Sequence, residues 1–335
     1  MAEWINRLGS KTRFRYAKGD RAIKDARTLD RIRKLAIPPA WTDVHIAASA
    51  GAEVQAWGMD AKGRKQYRYH TRAVERGQLR KYYRVRELAK ELPDIRRRVR
   101  THAASRTTSR RAAAAAVVRL ISESFFRIGS ERYAEENKTF GIVTLSKRHV
   151  AVFHGRAVFT YVGKRSIKQR QVVANRELAA LVRRYQRTPG TRLFRYQEGS
   201  KWRNLTATDV NAYLHETLGV AFSAKDFRTW GGTLRAATVL AELGAADSPT
   251  EAKRNVATTM RLVAAELGNT PAICRKSYVH PLVVAKYVDD GETIRLPPKH
   301  APRADAYAHS PEERALIRFL DTHFPERRRT ARHAS

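Results

Sequence analysis

One tyrosine set among cations is the first chemical lead in this sequence. The stretch Gly268-Asn269-Thr270-Pro271-Ala272-Ile273-Cys274-Arg275-Lys276-Ser277-Tyr278-Val279-His280-Pro281 places Tyr278 just after two basic side chains and just before a proline break. A phenol so placed is a candidate nucleophile toward a phosphodiester, because neighbouring cations offset the negative charge that gathers on an attacked phosphate. Taken alone, Tyr278 reads as a half-buried packing residue with a polar tip. Upstream, Arg127, Lys164 and Arg228 supply further cations, and Asn269 an amide. Singly these too have ordinary explanations: an arginine at a helix end suits the helix dipole, and a lysine in a turn is usually just solvated.

Periodicity and punctuation indicate the elements that must carry these groups. Leu29, Ile32 and Leu35 follow helical spacing, and Pro38-Pro39 ends that helix. Residues 43–47 and 53–59 read as strands turned at Ala50-Gly51. After Asp60-Ala61-Lys62-Gly63, residues 64–70 alternate at period two, with Lys65, Tyr67 and Tyr69 on one face and Gln66, Arg68 and His70 on the other. Residues 1 to about 30 read as a basic lead-in or arm.

Helical patterning takes over between Val74 and Arg80. Helices are expected over 82–92, stopped by Pro93, and over 112–126, where Val117, Val118, Leu120, Ile121 and Phe125 precede Arg127. Residues 131–138 read as a charged loop. A meander follows, with strands near 141–145, 149–153, 157–162 and 167–173, which puts Lys164 at a hairpin tip. From Asn175 the pattern is helical: 177–185, then a helix opened by Thr206-x-x-Asp209, and one entered through Ala224-Lys225-Asp226-Phe227-Arg228. Another runs from the capping box Ser248-Pro249-Thr250-Glu251 to Gly268, and a short one, begun by Thr270-Pro271, carries Tyr278. The tail holds one more helix near 310–323 and a frayed end around Arg327-Arg328-Arg329. The expected fold class is α+β: a small β-rich N-terminal domain (1–78), a larger, mainly helical catalytic domain with a β-meander (79–296), and a tail with one helix (297–335).

Composition narrows the partner. The chain has 335 residues, 42% hydrophobic, with 66 Lys+Arg against 32 Asp+Glu and a formal charge of +34. That is ample length for two cored domains, and the charge is spread along the chain, which makes a polyanion, nucleic acid first, the expected partner. No apolar run approaches the roughly 20 residues needed to cross a bilayer, and no signal peptide is legible, so a cytoplasmic, nucleoid-associated protein is expected. The single cysteine, Cys274, excludes an intramolecular disulfide and any multi-cysteine zinc site. No H-E-x-x-H or comparable ligand pattern supports a metal, and no cofactor is expected. Gly163-Lys164 is not a phosphate loop, since Val158 stands where that motif needs its first glycine.

The words Phe126-Arg127-Ile128-Gly129, Val162-Gly163-Lys164, Lys225-Asp226-Phe227-Arg228-Thr229, Leu267-Gly268-Asn269-Thr270-Pro271 and Ser277-Tyr278, in this order, resemble the active-site series of the type IB DNA topoisomerases, in the small form found in poxviruses and some bacteria. The resemblance spans roughly residues 37–287 and includes Pro38-Pro39-Ala40-Trp41 and Lys65-Gln66-Tyr67. It implies a tyrosine recombinase/topoisomerase IB-like catalytic fold and relaxation of supercoiled double-stranded DNA through a 3′-phosphotyrosine, without ATP or a required metal, by a monomer that closes on DNA as a clamp. It further implies Tyr278 as nucleophile, Arg127 and Arg228 as the clamp on the transition state, Lys164 as general acid, Asn269 as a hydrogen-bond donor to a nonbridging oxygen, and Lys225 as an assisting lysine. Tyr133 resembles a phosphate contact, and Lys65, Gln66, Tyr67 and Tyr69 resemble DNA-binding residues of the first domain. Many relatives carry histidine where this chain has Asn269; an amide donates but takes no proton.

Two alternatives stand beside this reading. A tyrosine recombinase shares the Arg, Lys, Arg and Tyr chemistry, but usually has histidine three residues before the second arginine, where this chain has Lys225. A non-enzymatic basic DNA-binding protein would explain the charge and leave the ordered motifs unexplained.

Overall fold

The computed structural model describes residues 3–10, 13–218, 222–296, 298, 305 and 307–324. The chain divides into two compact units, residues 1–81 and 82–335, and the fold class is α+β.

The first unit is a six-stranded antiparallel sheet with one helix. In chain order its elements are β1 (Trp4–Ser10), β2 (Arg13–Lys18), β3 (Arg21–Ala22), α1 (Ala26–Lys34), β4 (Thr42–Ala47), β5 (Val54–Met59) and β6 (Lys65–Tyr69), with strand order β3-β2-β1-β4-β5-β6. Its core joins Ile5, Ile32, Val44, Ile46 and Ala56. The basic lead-in expected over the first 30 residues is therefore corrected: three strands and the start of α1 occupy most of it. Its arginines concealed the alternation, because their stems and heads are used locally. Arg7 donates to Pro38 O at 3.2 Å and lies 4.2 Å over the Phe14 ring, while neighbouring Ile5 is buried.

The division between units falls within α2 (Thr71–Ala104), which runs through Pro93. Proline was expected to stop this helix, since it cannot bond the carbonyl four residues back. That carbonyl, Ala89 O, is instead taken by His309 Nε2 at 2.6 Å, a partner 220 residues away.

The second unit continues with α3 (Arg110–Ser124) and α4 (Glu131–Asn137). α4 replaces the charged loop expected there, held by the Arg132–Glu136 pair at 2.8 Å and buried Ala134. The expected first strand of the meander is a 3-10 turn over Ile142–Thr144. Its amides pair with the segment after α3, Ile142 N to Arg127 O at 2.8 Å and Val143 N to Ile128 O at 3.0 Å. The sheet proper is β7 (Val150–Phe153), β8 (Arg156–Val162) and β9 (Lys168–Val173), all antiparallel. Then come α5 (Arg176–Gln186), a hairpin β10 (Arg195–Glu198) and β11 (Lys201–Asn204) that the helical reading missed, and α6 (Ala207–Leu218).

Arg228 lies on α7 (Ala224–Leu243), Asn269 between α8 (Pro249–Leu267) and α9 (Pro271–Ser277), and Tyr278 directly after α9; α10 (Pro281–Asp290) and α11 (Pro311–His323) come next. Caps legible in the sequence are formed: Asp209 accepts from Thr206 N, Ser248 accepts from Glu251 N, and Thr270 Oγ1 accepts from Ile273 N. One core runs through α2, α3, the meander and α5 to α11. The Arg327-Arg328-Arg329 end lies outside the described residues.

Candidate active site

Arg228 sits at the centre of the site. It is 3% exposed on α7, and its guanidinium donates to Leu267 O at 2.9 Å and to Phe125 O. These carbonyls belong to the C-terminal ends of α8 and α3, where unpaired carbonyls and the helix dipoles favour a cation. Burial pulls the guanidinium below its ordinary pKa, and nearby Tyr278 opposes that shift. Phe125 lies two residues before Arg127 and Leu267 two before Asn269, so one buried cation fixes the exits of the two segments that carry them.

Phe125 ends α3 in the left-handed region (φ 54°), and Arg127 follows in a stretch pinned by the Ile142–Thr144 turn. α8 closes at Gly268, also left-handed (φ 59°), and Asn269 N donates to Ala264 O at 2.9 Å. The side chains meet: Arg127 Nη2 donates to Asn269 Oδ1. Since arginine can only donate, this bond orients the amide and turns its Nδ2 donor elsewhere. Among the described residues, Asn269 Nδ2 and Arg228 Nε are buried donors with no partner. Buried donors are normally satisfied, so a pair left open beside two guanidiniums is suited to an incoming anionic oxygen.

Tyr278 caps the C-terminal end of α9, and its ring lies 5.1 Å from Arg228 Cζ. Its backbone is set from several sides. Tyr82 donates to Val279 O at 2.9 Å, and Thr233 Oγ1 accepts from His280 N at 3.1 Å. Cys274, one turn earlier, is fully buried, and burial pushes its thiol up to about 11, with Arg228 and Arg127 pulling the other way. Burial likewise pushes Tyr161 up to about 12 against the same two arginines, and its hydroxyl donates to Gln171 Oε1 at 2.8 Å. Arg127 thus bonds Asn269, while Arg228 lies against the Tyr278 ring and close enough to Arg127 for the two charges to act on each other.

Lys164 is exposed at the β8–β9 connection, where a short 3-10 turn (Lys164–Ser166) contains Arg165 in the left-handed region. Lys225 is exposed on the first turn of α7, and Tyr133 is exposed on α4. In the first unit, Lys65, Gln66, Tyr67 and Tyr69 lie on the edge strand β6. Tyr67 and Tyr69 are exposed, with ring centroids 5.8 Å apart. Lys65 Nζ lies 3.6 Å from the Trp57 ring centre, and Gln66 Nε2 donates to Asp60 Oδ2 at 3.0 Å. Arg64 and the turn amides that also bond Asp60 hold its carboxyl down at about 2.

Sequence reasoning missed residues that shape the site without touching a substrate. A Cβ on Gly231 would come within 2.5 Å of Phe125 Cδ1, and one on Gly232 within 2.7 Å of Tyr278 O. These glycines let the end of α3 and the tyrosine segment press against α7. Two adjacent glycines inside a helix were the available signal, since each costs about 1 kcal/mol relative to alanine and needs a packing reason. Glu313 on α11 is a second case: a buried carboxylate bonded to Arg96 at 2.6 and 2.9 Å, with Trp230 Nε1 at 3.4 Å. Cavities of about 510 and 660 Å³ lie elsewhere in the second unit, the first lined by Arg98, His102 and Tyr213 and the second by Arg96, Tyr307 and Glu313.

Among the described residues no helix is long and apolar enough to cross a membrane. A family model described as "Eukaryotic DNA topoisomerase I, catalytic core" matches residues 70–297, well over half of the chain, and one described as "Bacterial DNA topoisomerase IB, N-terminal domain" matches residues 13–60. The chain is 29% identical over 301 residues to "DNA topoisomerase 1B" of Acanthamoeba polyphaga mimivirus, covering 87% of this chain and 90% of that one. It is 24% identical over 239 residues to "DNA topoisomerase 1B" of Vaccinia virus (strain Copenhagen), covering 69% and 72%. The core match runs from α2 through α10 and so takes in every segment gathered around Arg228: this chain belongs to the type IB DNA topoisomerases.

Proposed function

We propose that this enzyme relaxes supercoiled double-stranded DNA by cutting one strand through Tyr278 and resealing it. The Tyr278 oxygen, its proton passed to solvent water, attacks the scissile phosphorus, the bond to the 5′-oxygen breaks, and a 3′-phosphotyrosine forms. Arg127 and Arg228 hold the nonbridging oxygens as charge builds, and Asn269 Nδ2 donates a third bond. Lys164 gives a proton to the departing 5′-oxygen, and Lys225 assists near that leaving group. The reverse attack by the 5′-hydroxyl expels Tyr278 and restores the strand. The covalent link preserves the energy of the phosphodiester, so neither ATP nor a metal is required.

The observation that carries this reading is the pair of open buried donors, Asn269 Nδ2 and Arg228 Nε, grouped with Arg127 and the Tyr278 ring. The first domain, through Lys65, Gln66, Tyr67 and Tyr69, and Tyr133 in the second, are assigned to DNA contact. Exposed tyrosines and cations on an edge strand suit phosphate and base contact. The protein is assigned to act as a monomeric clamp in the cytoplasm, at the nucleoid.

The test is incubation with supercoiled plasmid in EDTA without ATP, for the wild type and Tyr278→Phe. Relaxation and a denaturant-resistant protein–DNA adduct are expected for the wild type only, with DNA binding kept in the variant. An adduct that persists in Tyr278→Phe would remove the tyrosine from its role.

A further inference from the structure

Gln169 on β9 is 7% exposed, and among the described residues its side chain donates one long bond, Nε2 to Ile167 O at 3.5 Å. Its side chain passes between two glycines from distant parts of the second unit. A Cβ on Gly163 would stand 2.8 Å from Gln169 Cγ, and a Cβ on Gly268 would stand 2.8 Å from Gln169 Cδ and closer still to Oε1. Gly163 directly precedes Lys164, and Gly268 directly precedes Asn269. At Gly163 the backbone (φ −93°, ψ −170°) is open to any residue, so only the approach of Gln169 explains a glycine there. Gly268 is needed twice, for its left-handed cap and for Gln169.

We infer that Gln169 is a positioning residue that couples the Lys164 connection to the Gly268–Asn269 turn. Interiors are close-packed, so a side chain wedged between two backbones without a Cβ transmits a displacement of either one to the other. The connection itself is tied at its base by the bond from Gly163 N to Ile167 O at 2.8 Å. Delivery of the lysine and placement of the Asn269 donor are thus set together: a shift of the turn as a phosphate engages Asn269 would move the base of the Lys164 connection. This inference rests on the roles proposed above for Lys164 and Asn269.

The experiment is single-turnover cleavage by the full chain of a duplex carrying a site mapped on plasmid DNA with the wild-type enzyme. Gln169→Ala, Gln169→Met, Gly163→Ala, Lys164→Ala and the double variant Gln169→Ala/Lys164→Ala are compared. Gln169→Met keeps the side-chain volume and is expected to retain most of the rate, whereas Gln169→Ala and Gly163→Ala fall by roughly 10- to 100-fold, within the usual range for misplacing a general acid. The double variant is expected to lose less than the product of the two single losses, because the part of the Gln169 effect that acts through Lys164 is already gone. Multiplication of the two losses in the double variant, or a wild-type rate for Gln169→Ala, would overturn the coupling. A second substrate, with sulfur replacing the bridging 5′-oxygen, needs no protonation of its leaving group. If Lys164→Ala stays slow on it, the general-acid assignment fails independently of the coupling, which the double variant still decides.

Discussion

Replacing Arg228 with lysine keeps a positive charge at the centre of the site and removes its geometry. The guanidinium joins Phe125 O and Leu267 O, carbonyls at the ends of two different helices, and still has Nε open. An ammonium on a flexible stem is a point charge without the planar fork, and reaches one of these carbonyls at best. A hydrogen bond involving a charged group contributes about 1.5–3 kcal/mol, so the variant is expected to lose about 2 kcal/mol of stability from the stranded carbonyl. The same loss loosens the exits that carry Arg127 and Asn269 and removes a donor from the phosphate. Loss of one preorganised donor costs roughly 10²- to 10³-fold in rate, and cleavage should fall at least that far. Arg127→Lys is the control, since Arg127 is half-buried and, among the described residues, its side chain bonds only Asn269: cleavage should fall comparably while stability changes by about 0.5 kcal/mol or less. Urea unfolding and single-turnover cleavage on one preparation check both halves. If Arg228→Lys unfolds at the wild-type midpoint and cleaves within twofold of it, the two-carbonyl junction is not what organises this centre.

Gly231→Ala gains about 1 kcal/mol of helix propensity but sets a methyl against the Phe125 ring, an overpacking worth about 1–3 kcal/mol. A modest net loss in urea unfolding with a larger loss of cleavage is expected, and a stabilised, fully active variant would show that Phe125 is free to move. Burial alone would raise the Glu313 carboxyl, but Arg96 and the Ser310 amide hold it below its ordinary value of 4.5. The stability this supplies is present above that value and lost as pH falls through the lowered one. Glu313→Gln should therefore cost about 2 kcal/mol near neutral pH, the scale of a charge-assisted bond, and the cost should shrink as the pH falls below the ordinary carboxyl range in urea unfolding; a difference that does not narrow in acid would show that α11 is held by packing alone.

The sequence by itself determined the α+β class, the polyanionic partner and the ordered motifs. Those signals are local: turn and cap residues such as Ser248-Pro249, Thr270-Pro271 and Gly268 act within a few residues of themselves, and net charge needs no fold. What depended on partners far along the chain stayed hidden. Pro93 reads as a helix stop until His309 takes the carbonyl it strands, and the basic first residues read as a lead-in until Trp4–Ser10 pairs on both sides, with β2 and β4. The pocket was of this second kind. Arg127, Arg228, Asn269 and Tyr278 could be named from their order, but their meeting depends on two helix ends accepting from one guanidinium and on Gly231-Gly232 letting those ends approach. Close packing between segments more than 100 residues apart is a property of the folded chain, and only tertiary structure decides it.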